Sequence, residues 1–309
     1  MSQASVLAQS SGPTSRVKGP PVWLDMDQKE LDDAYDQLVY APNRDQIQRR
    51  NARNSELTRE RLGPPLRLAY GASPVEQLDV YRTSKPNAPI AIYTHGGAWR
   101  GGSAATCGFI AETFVNAGAN LVVLDFNNVT ETGGELMPMM DQVRRAVAWV
   151  YRNADKFGGD PQRLYVVGHS SGAHLTGNLL TTDWQKEFGL DPAFIKGGLV
   201  GSGMYDLKPV RLSKRSEYVN FTDAVEDALS SQRHLNHLVA PITVLYGTHE
   251  TPEFQRQARE FAAAVEAAGK PVRLIVCEGY NHFEVMETLA NPYGLFGRAA
   301  LQQMNLVTS

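Results

Sequence analysis

Residues 163–175 read RLYVVGHSSGAHL, an apolar run that enters a glycine-flanked pair of serines and continues into a helix-compatible stretch. The pattern Gly-x-Ser-x-Gly at 168–172, between a strand and a helix, predicts a tight, strained turn that lifts the Ser170 hydroxyl above the edge of a sheet. Ser171 is the rival serine, but it would break the symmetric glycine spacing. We therefore predict Ser170 as a nucleophile and the backbone N–H of Ser171 as a donor to a developing oxyanion.

Outward from this turn, short apolar runs alternate with longer helical patterns, which is typical of a mostly parallel sheet covered on both faces. Two further runs at 66–71 and 77–82, separated by a Gly-Ala-Ser-Pro turn, predict an antiparallel pair at the sheet edge. The fold class is therefore α/β. The predicted inner strands are 90–95, 121–126, 163–170, 197–203, 242–247 and 272–279, and the predicted helical stretches are near 106–117, 138–157, 171–181, 252–268 and 283–306.

The chain divides into a short polar start and one long domain. Residues 1–22 are rich in Ser, Gln, Gly and Pro, which predicts a disordered tail, and 23–309 form a single α/β domain. Asp27 and Glu30 resemble a capping box at the start of a short helix that includes Leu38, and 43–61 suits a surface helix or a partly ordered arm. The weakly periodic stretch 204–238 predicts a cap insertion.

Composition excludes several classes of partner. The net charge is −3, from 30 basic and 33 acidic residues, so neither nucleic acid nor an anionic membrane surface is favoured. No apolar run reaches the roughly 20 residues of a membrane-spanning helix, so a cytoplasmic protein is expected. Cys107 and Cys277 stand apart from any paired motif and are predicted as free thiols. His234 and His237 lack an accompanying ligand cluster, so no metal or other cofactor is predicted.

A serine needs a base and an acid, which in a sheet of this kind follow late strands in the order Ser, acid, His. His282 comes just after the last strand-like run, and His249, after the preceding one, is its main rival. The acid is expected between these two, where Glu250 lies nearer the strand end. Glu253 follows a proline and suits the first turn of the next helix, so Glu250 is favoured while both stay open.

The first parallel strand ends in HGGAW at 95–99, where glycines allow backbone N–H groups to approach a carbonyl oxygen closely. Gly96 and Gly97 are the predicted oxyanion donors together with Ser171, and Ala98 is an alternative. Loops at the carboxyl ends of parallel strands bind ligands. The candidate pocket residues on such loops are Trp99, Asn127, His169 and Tyr205.

Four motifs resemble the kynurenine formamidase-like, aryl-acylamidase branch of the α/β-hydrolases, near the hormone-sensitive-lipase-type esterases. They are HGGAW at 95–99, GHSSGAHL at 168–175, THETPEFQRQ at 248–257 and GYNHFE at 279–284. The resemblance implies an α/β-hydrolase fold with Ser170 as nucleophile, His282 as base and Glu250 as acid. Glu stands where many relatives have Asp, and Ala98 stands where they have a third glycine, so the shape of the acyl pocket stays open.

Members of that branch hydrolyse N-formylkynurenine, related N-acyl aromatic amines or small esters. The resemblance thus implies a serine hydrolase that cleaves an N-formyl or N-acyl aromatic amide, of kynurenine or anthranilate type, through an acyl-enzyme. The alternative is a carboxylesterase for short acyl esters, because the same three residues cleave both bonds. A catalytically silent binding protein would lack one of the three. The expected partner is a small aromatic amide or ester, and a homodimer is left open.

Overall fold

A computed structural model of the chain describes residues 16–307. Within this range an eight-stranded sheet runs in the order β1-β2-β4-β3-β5-β6-β7-β8. The β1–β2 and β2–β4 pairs are antiparallel and all others are parallel, as predicted. The strands are β1 (Leu66–Ala69), β2 (Gln77–Tyr81), β3 (Ala88–Thr94), β4 (Asn120–Leu124), β5 (Gly159–His169), β6 (Ile195–Gly201), β7 (Ile242–Gly247) and β8 (Val272–Cys277).

Helices connect the strands and cover the sheet. The α-helices are α1 (Gln28–Ala34), α2 (Gln37–Tyr40), α3 (Arg44–Leu62), α4 (Ala111–Ala117), α5 (Leu136–Arg152), α6 (Ser171–Leu180), α7 (Trp184–Phe188), α8 (Lys208–Leu212), α9 (Asp223–Ala228), α10 (Pro252–Ala267), α11 (His282–Glu287) and α12 (Leu295–Gln303). Short 3-10 segments are Ala104–Ile110, Ala154–Phe157, Pro192–Phe194, Lys214–Glu217, Ser231–Arg233, Leu235–His237 and Thr288–Ala290. None of the helices in the described range is long and apolar enough to cross a bilayer.

The core has two halves, one on each face of the sheet, because side chains alternate along a strand. On β3, Ile90 and Ile92 pack with α5, α6 and α10, whereas Ala91 and Tyr93 pack with α4 and α12. All residues of β3 and β4 are buried, which explains their continuous apolar sequences. The α/β-hydrolase architecture is confirmed.

The N-terminal segment differs from the prediction in one detail. Asp27 and Glu30 form the expected capping box, but α1 ends at Ala34 instead of continuing to Leu38. Asp36 caps a second short helix by accepting a hydrogen bond from the Leu38 amide, and Leu38 is consequently exposed. Of the predicted tail 1–22, residues 1–15 lie outside the described range. Residues 16–22 lie along the start of α1, where Arg16 contacts the Asp27 carboxylate.

The predicted helical stretch 283–306 is wrong as one continuous element. It is divided into α11, a 3-10 turn and α12, with a break at Asn291. Asn291 is extended because the proline that follows it disfavours helical backbone at the preceding residue. The segment 43–61, for which two interpretations were open, forms α3. The insertion 204–238 contains α8, α9 and 3-10 turns between β6 and β7.

Candidate active site

Ser170 occupies the turn between β5 and α6 with strained backbone angles, φ 59° and ψ −129°. The turn is tight enough to require its flanking glycines. A Cβ on Gly172 would lie 2.0 Å from the Thr94 carbonyl oxygen, and one on Gly168 would lie 2.4 Å from that of Gly172. Any other residue at these two positions would push the helix away from the sheet, so both glycines are required to present Ser170 in this way.

Ser170, His282 and Glu250 form one continuous line of hydrogen bonds. His282 Nε2 lies 2.8 Å from Ser170 Oγ, and His282 Nδ1 lies 2.8 Å from Glu250 Oε2. A carboxylate can only accept, so Nδ1 must carry the proton, which leaves Nε2 of the neutral ring free to accept the serine proton. This arrangement can activate a hydroxyl nucleophile without any rearrangement.

Glu250 is fixed by more than the histidine. Its other oxygen, Oε1, accepts hydrogen bonds from Ser202 Oγ and from the Gly247 amide, each 2.6 Å long. Glu253, the rival acid, lies in the first turn of α10, where it pairs with Arg256. The geometry therefore brings Glu250 to His282 and directs Glu253 to a different partner.

His282 is the first residue of α11, and that position depends on a cap. The Asn281 side chain accepts from the amides of Phe283 and Glu284, and the Glu284 side chain accepts from the Asn281 amide. This reciprocal box fixes the direction of the first helical turn. His249, the rival of His282 in the sequence, lies on the surface instead.

His169 is buried and packs against His282. Its Nε2 donates a 2.9 Å hydrogen bond to the His282 carbonyl oxygen, and the two rings are 4.6 Å apart. Burial, and secondarily the neighbouring His282, lowers the pKa of His169 well below its usual range. His169 is therefore neutral and adds no second positive charge beside His282.

The glycine loop that follows β3, residues 95–99, lies directly against the turn at residues 168–172, which we call the elbow. A Cβ on Gly96 would lie 3.0 Å from Ser170 Cβ, and one on Gly97 would lie 2.2 Å from the Gly101 carbonyl oxygen. Gly97, Ala98 and Trp99 all have positive φ, which is unusual for the two residues that are not glycine. The structure thus brings Gly96 to the serine and packs Gly97 within its own loop, while Ala98 adopts the left-handed conformation that a glycine would take more easily.

Ser171 contributes at two atoms. Its side-chain Oγ accepts a 3.2 Å hydrogen bond from the Trp99 amide, which ties the glycine loop to α6. Its own amide begins the helix and has no acceptor one turn earlier. The hydroxyl of Ser171 is thus occupied in holding the loop, and the structure brings the hydroxyl of Ser170 to the histidine instead.

Of the predicted pocket residues, Trp99 and His169 contact the elbow or His282, whereas the Tyr205 and Asn127 side chains are engaged elsewhere. Trp99 lies beside the elbow, and its Nε1 donates to Nδ1 of the buried His174. Tyr205 is 0% exposed and stacks on Phe261 at 4.1 Å, so it packs in the core and does not line an open site. The Asn127 side-chain oxygen is engaged by Gln142. His169 supports His282 from below.

Sequence reasoning missed residues of the insertion that cover the glycine loop. Phe221 packs edge-on to Trp99 at 6.4 Å, and the guanidinium of Arg215 lies 5.4 Å from the same ring. Arg100 stacks on the ring of Tyr218 at 4.0 Å. The only signal in the sequence was the position of the insertion after β6, which does not specify these contacts.

Both cysteines are buried and unbonded, as predicted. Burial raises the pKa of Cys107 and of Cys277 to about 12, so neither thiol is a nucleophile at neutral pH. Within residues 16–307, no group of three His, Cys, Asp or Glu side chains is arranged to hold a metal ion.

Comparison with known proteins places this site in a family. The family described as BD-FAE matches residues 78–196. The chain is 34% identical to a kynurenine formamidase of Danio rerio over 76% of this chain and 80% of the relative. It is 32% identical to that of Salmo salar over 73% and 77%.

The chain belongs to the kynurenine formamidase family. Its fold is also that of solved structures: a putative thioesterase from Silicibacter sp. TM1040 superposes with a TM-score of 0.74 at 24% identity, covering 87% of this chain and 98% of the other. Carboxyl esterase 2 of Tuber melanosporum gives 0.64 at 17% identity, covering 78% and 86%. This member of the kynurenine formamidase family is an α/β-hydrolase and an enzyme of the hydrolase type.

Proposed function

We propose that this enzyme is a serine hydrolase that cleaves the amide bond of an N-formyl or N-acyl aromatic amine, of kynurenine or anthranilate type, through an acyl-enzyme. The observation that carries the proposal is the hydrogen-bonded line from Ser170 through His282 to Glu250 at a strained elbow. Membership of the kynurenine formamidase family supports the substrate class.

In the first step Ser170 Oγ attacks the amide carbon while His282 Nε2 takes the hydroxyl proton. The carbonyl oxygen becomes negative and is stabilised by the amides of Ser171 and of the glycine loop, where Gly96 and Gly97 are the named donors and Ala98 the alternative. His282 then donates the proton to the leaving nitrogen, and the C–N bond breaks. Glu250 stabilises the transient imidazolium throughout.

In the second step water attacks the formyl- or acyl-serine. His282 accepts a proton from the water and returns it to Ser170 Oγ, which releases the carboxylic acid and restores the enzyme. The same constellation can cleave short acyl esters, and the Arabidopsis isoprenylcysteine methylesterase, at 24% identity, supports this second candidate. Esters have the better leaving group, so the preference depends on the pocket and on protonation of the amine.

The experiment compares kcat/KM on N-formylkynurenine, N-acetylanthranilate and p-nitrophenyl acetate for the native enzyme and Ser170→Ala. We expect a preference for one aromatic amide that Ser170→Ala abolishes. An organofluorophosphonate should phosphonylate Ser170 with loss of fluoride, so that the peptide containing Ser170 gains the mass of the phosphonyl group. Ser84→Ala, which changes an exposed serine of the β2–β3 connection, is the matched control.

Activity confined to the ester would move the function to a carboxylesterase. Hydrolysis by Ser170→Ala at the native rate, or labelling on another peptide, would contradict the serine mechanism.

A further inference from the structure

A buried arginine of the insertion has no acidic partner. Arg215 lies in the 3-10 segment Lys214–Glu217 and is only 5% exposed. Arg144 is comparably buried, at 8%, and pairs with Asp141 and Glu187. No carboxylate of the described residues lies within ion-pair distance of Arg215. Because a guanidinium stays charged under all physiological conditions, Arg215 holds a buried positive charge without a carboxylate in direct contact.

The hydrogen bonds of Arg215 are also incomplete. Nη1 donates to the Tyr218 hydroxyl at 3.0 Å and Nη2 donates to the Tyr35 carbonyl oxygen at 3.1 Å, and both acceptors are neutral. Nε is buried, and no acceptor for it exists among residues 16–307. The rings of Trp99 and Tyr35 attract the positive charge of Arg215 through their faces, but they provide no oxygen acceptor for its N–H groups. A group with negative charge and oxygen acceptors would supply what is missing.

Arg215 is connected to both sides of the catalytic serine. On one side its guanidinium lies 5.4 Å from the ring of Trp99, which belongs to the glycine loop against the elbow. On the other side it lies 5.9 Å from the ring of Tyr35. That ring is 5.9 Å from Phe254, whose ring in turn contacts His282 edge-on at 5.0 Å. Contacts therefore run from His282 through Phe254 and Tyr35 to Arg215, and from Arg215 to Trp99 of the glycine loop.

The charges nearby favour an anion at this place. Arg100 stacks on the ring of Tyr218 whose hydroxyl Arg215 contacts, so two guanidinium groups flank one tyrosine. Asp36, an acid close enough to interact with the charge of Arg215, pairs directly with Lys214 at 2.5 Å. A cationic ligand would meet like charge here, whereas an anionic one would be attracted.

We propose that Arg215 binds the carboxylate of the substrate and thereby selects aromatic amides of amino-acid type over neutral ones. This inference rests on the proposed function, since the reaction at Ser170 fixes where the scissile bond lies. A guanidinium fork matches a carboxylate with two parallel N–H···O bonds, and a desolvated pair of this kind discriminates strongly. Arg215 is then a specificity residue that touches the substrate away from the reacting bond.

The test compares N-formylkynurenine with its carboxamide, in which the carboxylate alone is replaced. The readout is the ratio of the two kcat/KM values. We expect Arg215→Gln to lower this ratio by about 10- to 100-fold, mainly through the KM of the acid, because a hydrogen bond to a charged group has that magnitude. Arg215→Lys should retain part of the preference. Arg211→Gln, which changes a half-buried arginine of the same insertion paired with Asp223, should keep the native ratio.

An equal fall for both substrates in Arg215→Gln, or an unchanged ratio, would overturn the proposal. Binding provides a second test that does not depend on turnover: titration calorimetry of kynurenine and kynureninamide on the double variant Ser170→Ala/Arg215→Gln, which should bind both with similar affinity, and on Ser170→Ala. At least tenfold tighter binding of the acid to Ser170→Ala is expected, and equal affinities for Ser170→Ala would also overturn the proposal. A native enzyme that hydrolyses neither amide would contradict the proposed function instead, while this binding comparison would still decide the role of Arg215.

Discussion

At Ser170 the backbone adopts a conformation that non-glycine residues rarely take, and neighbouring contacts hold it there. Gly168 and Gly172 allow the strand and the helix to approach, and the Ser170 amide is fixed by the Gly201 carbonyl at 2.9 Å. The local strain is therefore compensated by the rest of the elbow, as is usual at functional sites. The acid is held in the same way, since each oxygen of Glu250 has its own donors.

The role of the acid gives the first prediction. Glu250→Gln should lower kcat by about 1,000- to 10,000-fold with little change in KM, because a neutral amide cannot stabilise the imidazolium and disturbs the histidine tautomer. Steady-state kinetics on N-formylkynurenine measures this. Glu253→Gln is the control, since Glu253 pairs with Arg256. It should keep a kcat close to native, and the reverse pattern would assign the acid to Glu253.

Among the elements, α11 determines where the base lies. The helix has only six residues, so its direction depends strongly on its first turn, and that turn is organised by the Asn281 cap. Asn43, the residue before α3, also holds this turn, since it donates to Glu284 and accepts from Asn281. The helix that carries the base is thus held between its own cap and the N-terminal segment.

Loss of this cap gives the second prediction. Asn281→Ala should lower the free energy of unfolding by about 1 kcal/mol and also lower kcat, because His282 would lose its fixed orientation toward Ser170. Asn281→Asp retains the acceptor and should restore both. Asp183→Ala removes a comparable cap, from α7, and should lower stability without lowering kcat. Equal kcat values for Asn281→Ala and the native enzyme would contradict the positioning role.

Over the whole molecule, the N-terminal segment and the insertion meet above the sheet and enclose the region beside Ser170. Tyr35 of the first contacts Glu253 of α10 through its hydroxyl and Arg215 of the second through its carbonyl. Beneath them lie three buried histidines, His95, His169 and His174, whose pKa values burial lowers. The fold therefore keeps these rings neutral.

Acid stability gives the third prediction. The pKa of His174 is lowered from 6.5 to about 4, so the unfolded chain binds a proton first as the pH falls. The free energy of unfolding is therefore unaffected by this histidine above about pH 6.5, and it falls progressively as the pH drops from there to about 4. At pH 5 the loss from this group is about 2 kcal/mol.

Urea unfolding at pH 7.5 and pH 5 measures the effect. His174→Gln should lose less stability between the two pH values than the native enzyme, and His237→Gln, which changes a half-buried histidine of the insertion, should lose as much as native. An equal loss in the native enzyme and His174→Gln would contradict this account.

Much of the fold and the centre of the site follow from local signals. All eight strands were predicted within a few residues. The inner strands carry continuous apolar runs because they are buried, and Gly and Pro mark turns such as the one between the edge strands β1 and β2. Ser170 and both elbow glycines followed from the pattern Gly-x-Ser-x-Gly between a strand and a helix. The errors came at helix boundaries, as at Leu38 and Asn291, where a cap or a proline ended the element early.

The amino-acid order alone thus established the sheet, the elbow and the candidate base, since each depends on neighbours along the chain. Tertiary structure decided between Glu250 and Glu253, which are three residues apart, because only the orientation of the loop relative to α11 brings one of them to His282. It also removed Tyr205 from the pocket and brought Arg215 to Trp99. Those contacts join segments distant in sequence, and only the packing of the insertion against the sheet determines them.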